Sequence, residues 1–343
     1  MDRDRMTAMF RKQFELCKVR DGESMVLLSD PDARPEYITA SFAAAKALGA
    51  KVFNIAVPEA PHPHLVGVHP LRGLDSAVEA MKRADIVIAF TRPLFTKELR
   101  EIMSAGARVL MVIDHPDDLE MLQSNASIER AVKAAGRRLE RARDVRYTSD
   151  AGTDLRIKTG EYPVMRQYGY ADEPGRFDHW GVAIVHTFPN EGSANGTVVI
   201  NTGDMVVLPF RRYVQDPIQL EVREGFIRKI EGGFDALLMR DWLEGWGDPD
   251  GYAVSHLGWG LHPKARWNCI EMFGPERCVA HGRAFAGNFL FSTGPNTQGG
   301  GKRTTKGHYD VPMRDCTVAL DNDVIIARGK LTDEKMQVAF VPR

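Results

Sequence analysis

Two histidines and an aspartate carry the strongest chemical signal in this chain. His256 stands in Ser255-His256-Leu257-Gly258-Trp259-Gly260, and His308 and Asp310 stand in Gly307-His308-Tyr309-Asp310. On an extended strand, residues i and i+2 point to the same face. His308 and Asp310 can therefore bind one ion together, and His256 can close the set. Two imidazoles and one carboxylate on one side of a metal leave other positions open, the arrangement of non-haem iron(II) oxygenases. A plain reading stands beside it. A lone histidine is commonly a surface or satisfied core residue, and a His-x-Asp pair can be one buried histidine bonded to its neighbour.

Other residues can do chemistry around such a site. Glu191, in Phe188-Pro189-Asn190-Glu191-Gly192, can be a ligand, a carboxylate behind a ligand, a general base, or a solvated turn acid. The run Tyr168–Trp180 (YGYADEPGRFDHW) crowds aromatic and titratable groups, as functional loops do. Within it His179 is a candidate acid/base, since imidazole titrates near neutrality. A packed loop or a subunit contact would look the same. Arg283 can anchor an anionic oxygen and Asn288 can donate a hydrogen bond to a ligand; both can also pair with backbone. His62, His64 and His69 cluster in APHPHLVGVHP, where the prolines indicate a surface loop.

The bulk numbers narrow the setting. A chain of 343 residues with 43% hydrophobic and 27% charged residues can bury a sizeable core and suits two domains. A net charge of −1 gives nothing to attract a polyanion, so nucleic acid is not an expected partner. No apolar run approaches the roughly 20 residues that span a bilayer. The N-terminus mixes both charge signs and does not read as a secretory signal. Cys17, Cys269, Cys278 and Cys316 show no CxxC spacing, so a reducing compartment, the cytoplasm, is expected.

The elements that must position these residues fall into two halves. Up to residue 145, apolar runs at Ser24–Ser29, Lys51–Val57, Asp85–Phe90 and Arg108–Ile113 alternate with helical stretches at Glu36–Leu48, Leu74–Ala84 and Phe95–Ser104. That pattern predicts an α/β domain with a mostly parallel sheet over 1–145. Asp117–Arg143 reads as a charged helix closing it. No GxGxxG or Walker loop follows the first strand, so a nucleotide is not indicated. From 146 to 343 short strands predominate, with hairpins expected to turn at Glu224-Gly225 and near Asn322 and one helix at Phe234–Trp246. This half reads as an α+β metal-binding domain rich in antiparallel strands. The Gly/Pro-rich Ser292–Gly307 is the candidate substrate-covering loop.

The stretches YGYADEPGRFDHW, SHLGWGLHP, GRAFAGNFLFSTGPNT and GGKRTTKGHYDVPMRDC resemble the 2,5-dihydroxypyridine 5,6-dioxygenases of bacterial nicotinate and nicotine breakdown. That family is similar in fold to the two-metal aminopeptidase T peptidases. There a glutamate stands where His256 stands here, and a metal-binding histidine is expected near Asn288. The resemblance implies His256, His308 and Asp310 as ligands of one Fe(II), His179 as acid/base, Arg283 as a substrate-orienting cation, and oxidative opening of a hydroxylated pyridine beside its nitrogen. For 2,5-dihydroxypyridine the family product is N-formylmaleamate. Two departures stand out: Gln167 replaces a family glutamate, and Thr91–Leu94 lacks a family histidine. A proton relay rebuilt from His179 and Glu173 is one way to accommodate them.

The expectation is a cytoplasmic, homo-oligomeric, mononuclear Fe(II) extradiol-like dioxygenase whose partners are a hydroxylated N-heteroaromatic ring and O2. Gln167, Glu173, Trp259, Asn288 and Phe291 are the expected substrate-binding residues, with Trp259 and Phe291 walling the ring. His179, Glu191 and Arg283 are the expected catalytic ones. The alternatives are an aminopeptidase-like metal hydrolase and a non-catalytic small-molecule binding protein.

Overall fold

The computed structural model describes residues 1–59, 66–69 and 71–338. The chain forms two compact units, Met1–Asn125 with Gln167–Gly181, and Ala126–Arg166 with Val182–Arg343. The units therefore do not divide at residue 145. The charged stretch expected as one helix breaks into Pro116–Met121 and Ala126–Arg141, and the second piece counts with the second unit.

In the first unit a five-stranded parallel sheet runs in the order Lys51–Ala56, Ser24–Ser29, Ile86–Ala89, Arg108–Met111, Phe177–His179. The inner strands are buried along almost their whole length, as continuous apolar runs require when both faces are covered. The edge strand Lys51–Ala56 is largely exposed. The fifth strand was not legible as one. Phe-Asp-His is too short and too polar, and it forms because Asp178 is fully buried and satisfied. Its carboxylate accepts the backbone N–H groups of Tyr168, Gly169 and His179 at 3.0, 2.9 and 2.8 Å and pairs with Arg176 at 2.7 Å. The helix Arg3–Leu16 was also not foreseen. Asp2 caps it through the Arg5 N–H, and Phe10 packs edge-on to Trp180 at 5.0 Å.

Among the described residues the second unit holds an eight-stranded antiparallel sheet, a two-stranded pair of Met205–Val206 with Arg212–Tyr213, and a smaller five-stranded sheet. Both expected hairpins are present. Glu224 and Gly225, then Asp321 and Asn322, take the positive φ that two-residue turns require. The smaller sheet runs Asp310–Met313, Phe289–Ser292, Leu257–Gly260, Ile184–Thr187, Met165–Gln167. Its register assigns faces. Leu257 pairs Thr187, Gly258 pairs both His186 and Leu290, and Ser292 pairs Asp310. Antiparallel partners project to the same side, so His186, Phe188, His256, Gly258, Leu290, Ser292 and Asp310 share one face. Trp259, Phe289 and Phe291 fall on the other. That other face is core: the Phe289 ring stacks on Tyr147 of the larger sheet with centroids 3.9 Å apart.

Gly258 permits this pairing. A Cβ there would collide with the Val185 carbonyl and lie 2.7 Å from the His186 Cβ. Gly258→Ala is expected to cost about 1–3 kcal/mol or more, as overpacking does. Urea unfolding should show a lower midpoint; an unchanged midpoint would mean the two strands can separate freely.

Candidate metal centre

The site face gathers His256 and His308, each just before a strand, and Asp310 at the start of one. One ligand atom from each lies within 4.8 Å of the others, and all three side chains are buried. Two strands that are adjacent to a common third bring distant sequence positions into register, so three residues from two motifs meet.

Each donor is prepared in a different way. The His308 Nδ1 lies 2.6 Å from the Thr293 carbonyl. A carbonyl only accepts, so Nδ1 carries the proton and Nε2 carries the lone pair. Burial pushes the His308 imidazole down in pKa, and burial with the neighbouring His186 and His308 pushes His256 well down. Both are thus held as neutral lone-pair donors. Asp310 Oδ2 lies 3.1 Å from Arg283 Nε, while its Oδ1 is buried without a hydrogen-bond partner among the described residues. An orphaned buried acceptor costs about 1–3 kcal/mol. A cation between two neutral imidazoles and that oxygen removes the cost, so the residues fit a divalent metal.

Several expected residues stand elsewhere or are otherwise engaged. Glu191 is neither ligand nor base here. Its carboxylate accepts Tyr162 Oη at 2.5 Å, Asn296 Nδ2 at 2.9 Å and Arg303 Nη1 at 2.6 Å. These bonds clasp the loop that precedes His308 to the end of the Ile184–Thr187 strand. Arg283 is held by Asp310, so its charge serves the ligand. The Asn288 amide is fully used: Oδ1 accepts the Gly260 N–H at 2.8 Å, and Nδ2 donates to the Arg283 carbonyl at 3.0 Å. Trp259 and Phe291 lie on the core face and do not wall the site, because their strand positions have the opposite parity to His256 and Asp310.

In the first unit His179 is fully buried, and its Nε2 lies 2.6 Å from Asp114 Oδ2. The proton must sit on Nε2, which leaves Nδ1 as the basic atom, and Nδ1 has no hydrogen-bond partner among the described residues. Glu173 is exposed and Gln167 buried, so the partner of His179 is Asp114 and not Glu173. Sequence reasoning missed Asp114. The available signal was its place just past the carboxyl end of an apolar parallel strand, where α/β sheets collect functional side chains. His62 and His64 lie outside the described residues. His69 is buried rather than on the surface; its Nε2 bonds Thr91 Oγ1 at 2.7 Å and its Nδ1 accepts the Leu71 N–H. Burial takes it down to about 4. Both of its ring nitrogens are thus occupied.

A family model described as 2,5-dihydroxypyridine 5,6-dioxygenase matches residues 5–333. The chain belongs to this family. The 2,5-dihydroxypyridine 5,6-dioxygenase of Pseudomonas putida KT2440 is 38% identical over 333 residues, 94% of this chain and 95% of that protein. The solved 2,5-dihydroxypyridine dioxygenase structure from the same strain matches with a TM-score of 0.95 at 37% identity, over 98% of this chain and all of that one. Wild-type AmpT from Thermus thermophilus matches at TM-score 0.62 and 13% identity, over 95% of this chain and 99% of that one. That likeness shows a shared fold. The four sequence stretches singled out above thus pointed to the right family, and the expected fold relative is also found.

The Glu191 clasp gives a pH test. Partial burial raises its pKa, but the bonds from Tyr162, Arg303 and Asn296 outweigh this and hold the carboxyl below its ordinary 4.5. A lowered folded-state value means stabilisation above the unfolded pKa that is lost as pH falls through the folded one. Glu191→Gln should therefore be less stable than wild type at neutral pH, with the difference fading below about pH 4.5 in urea titrations. A constant difference across that range would mean the carboxylate charge plays no part.

Proposed function

We propose that this protein is a ring-cleaving dioxygenase acting on 2,5-dihydroxypyridine or a close hydroxylated analogue, with one Fe(II) held by His256, His308 and Asp310. The observation that carries it is the buried two-histidine, one-carboxylate group, in a chain 38% identical to a 2,5-dihydroxypyridine 5,6-dioxygenase across nearly its whole length. Two neutral imidazoles and one carboxylate suit a ferrous ion with open positions. Such an ion, when bound, supplies the redox chemistry by which O2 reacts with an electron-rich ring.

The chain's own groups do the rest. The Thr293 carbonyl fixes the tautomer and ring orientation of His308. Arg283 pairs with Asp310 and holds it in place, since a carboxylate this buried needs an opposite charge beside it. Burial of the whole group excludes water, so a proton on the substrate hydroxyl must go to a protein base. His179, the acid/base that the family resemblance implies, has the arrangement of one: Asp114 holds the proton at Nε2 and leaves Nδ1 to receive another. For 2,5-dihydroxypyridine, addition of one O2 and opening beside the nitrogen gives N-formylmaleamate, with both oxygen atoms retained. Absence of disulfides among four buried cysteines supports a reducing compartment, the cytoplasm. No helix among the described residues is long and apolar enough to cross a membrane. The homo-oligomer remains part of the proposal by analogy with the family.

Anaerobically iron-loaded protein offered 2,5-dihydroxypyridine should consume one O2 per ring lost, with both atoms found in the product by mass. Two bound metals, peptide cleavage and no O2 uptake would return the chain to the hydrolases. Ligand affinity without turnover would leave a binding protein. His308→Ala should lose its iron and its O2 uptake; full iron content and activity would remove His308 from the site. Asp114→Asn and His179→Ala should retain iron while kcat falls by about 10²–10⁴-fold. Wild-type kcat in both would place the base elsewhere.

A further inference from the structure

Across from Gly258 stands His186, a histidine given no part in the reaction so far. Its position on the site face follows from register. His186 pairs Gly258, and by the two-residue repeat Phe188 and His256 fall on the same face. Ring geometry agrees. The His186 and His256 centroids are 5.2 Å apart, and the Phe188 ring stands edge-on to His256 at 6.2 Å. A side chain at residue 258 would collide with the His186 backbone and Cβ, so glycine there lets the His186 strand pair closely.

The surroundings of His186 are unusual for a residue with only a packing role. It is buried to 1% exposure in a strand otherwise made of Ile184, Val185 and Thr187, all buried. Its Nδ1 is buried and has no hydrogen-bond partner among the described residues. Leucine or valine would fill such a strand position without an orphaned polar atom, whose cost is about 1–3 kcal/mol. His186 is also not part of the group whose ligand atoms lie within 4.8 Å of one another. A ring nitrogen on the metal face that neither protein nor metal set satisfies is a place for a ligand atom.

We propose that His186 is a substrate-binding residue, hydrogen-bonding a polar ring atom of the hydroxypyridine that lies beside His256. The ligand must therefore present a ring oxygen or ring nitrogen on the side nearest the Ile184–Thr187 strand. This deepens the ring-cleaving reading and rests on it. It also bears on the family departures at Gln167 and Thr91–Leu94. Those concern residues of the first unit, whereas His186 belongs to the second and would orient the ring through its own bond.

The test is anaerobic calorimetric titration of iron-loaded wild type, His186→Leu and His186→Asn with 2,5-dihydroxypyridine, with iron content measured on each. Steady-state O2 uptake is then read as separate kcat and KM. His186→Leu should keep its iron and bind the ring at least about tenfold more weakly, with KM rising more than kcat falls. His186→Asn, which keeps a donor and an acceptor, should recover part of the affinity and covers the case in which the leucine variant does not fold. Wild-type affinity in the leucine variant, or in an asparagine variant alongside an unfolded leucine one, with KM unchanged, overturns the inference. So does loss of iron in both variants, which would make His186 part of the metal set. Failure of wild type itself to bind the ring would instead overturn the parent reading.

Discussion

The arrangement depends on one buried negative charge. Asp310 is 2% exposed, and a carboxylate so placed is tolerable only if opposite charge meets it. Arg283 meets one oxygen. The other has no hydrogen bond among the described residues, and the nearest ligand atoms are those of two neutral imidazoles. Imidazole cannot neutralise a carboxylate when burial keeps it deprotonated. Oδ1 is therefore the oxygen of Asp310 that Arg283 leaves open to a further cation. Around it the fold invests in precision: a carbonyl that sets the His308 tautomer, a glycine that lets two strands close, and a carboxylate clasp on the loop that leads into His308.

Buried acids serve a different purpose in the first unit. Asp178 is fully satisfied by three backbone N–H groups and Arg176, so it holds structure and offers nothing to a ligand. It turns a polar loop into a strand, and that strand ends at His179, whose β-partner is Met111 on the strand that leads to Asp114. One buried aspartate makes the local fold, and another orients a histidine. The difference lies in how many donors each one meets.

The fold shared with AmpT, at 13% identity, sets the backbone, and the chemistry of a site rests on the side chains it carries. An imidazole at position 256, and at 288 an asparagine amide occupied by backbone groups, leave one compact donor set among the described residues. Paired-metal hydrolysis needs two ions to hold water and carbonyl together.

Local pattern determined a good deal by itself. Continuous apolar runs between helices specified the parallel sheet, and Glu224-Gly225 and Asp321-Asn322 specified hairpins, because positive φ is affordable at few residue types. Strand spacing placed His308 and Asp310 on one face, and four unusual stretches indicated the family. Face parity by the same rule also argued against Trp259 and Phe291 as walls of the site, but only once the pairing showed which face was which. What needed the tertiary structure was every relation between distant positions. The fifth parallel strand forms because Asp178 finds four donors. Glu191 and Asn288 are occupied because Arg303, Tyr162 and Gly260 arrive from elsewhere. Asp114 reaches His179, and His186 reaches His256, through strand pairing across long stretches of chain. A sequence displays each residue's chemistry and period, but the partner that makes a polar group satisfied or available is set by register and packing.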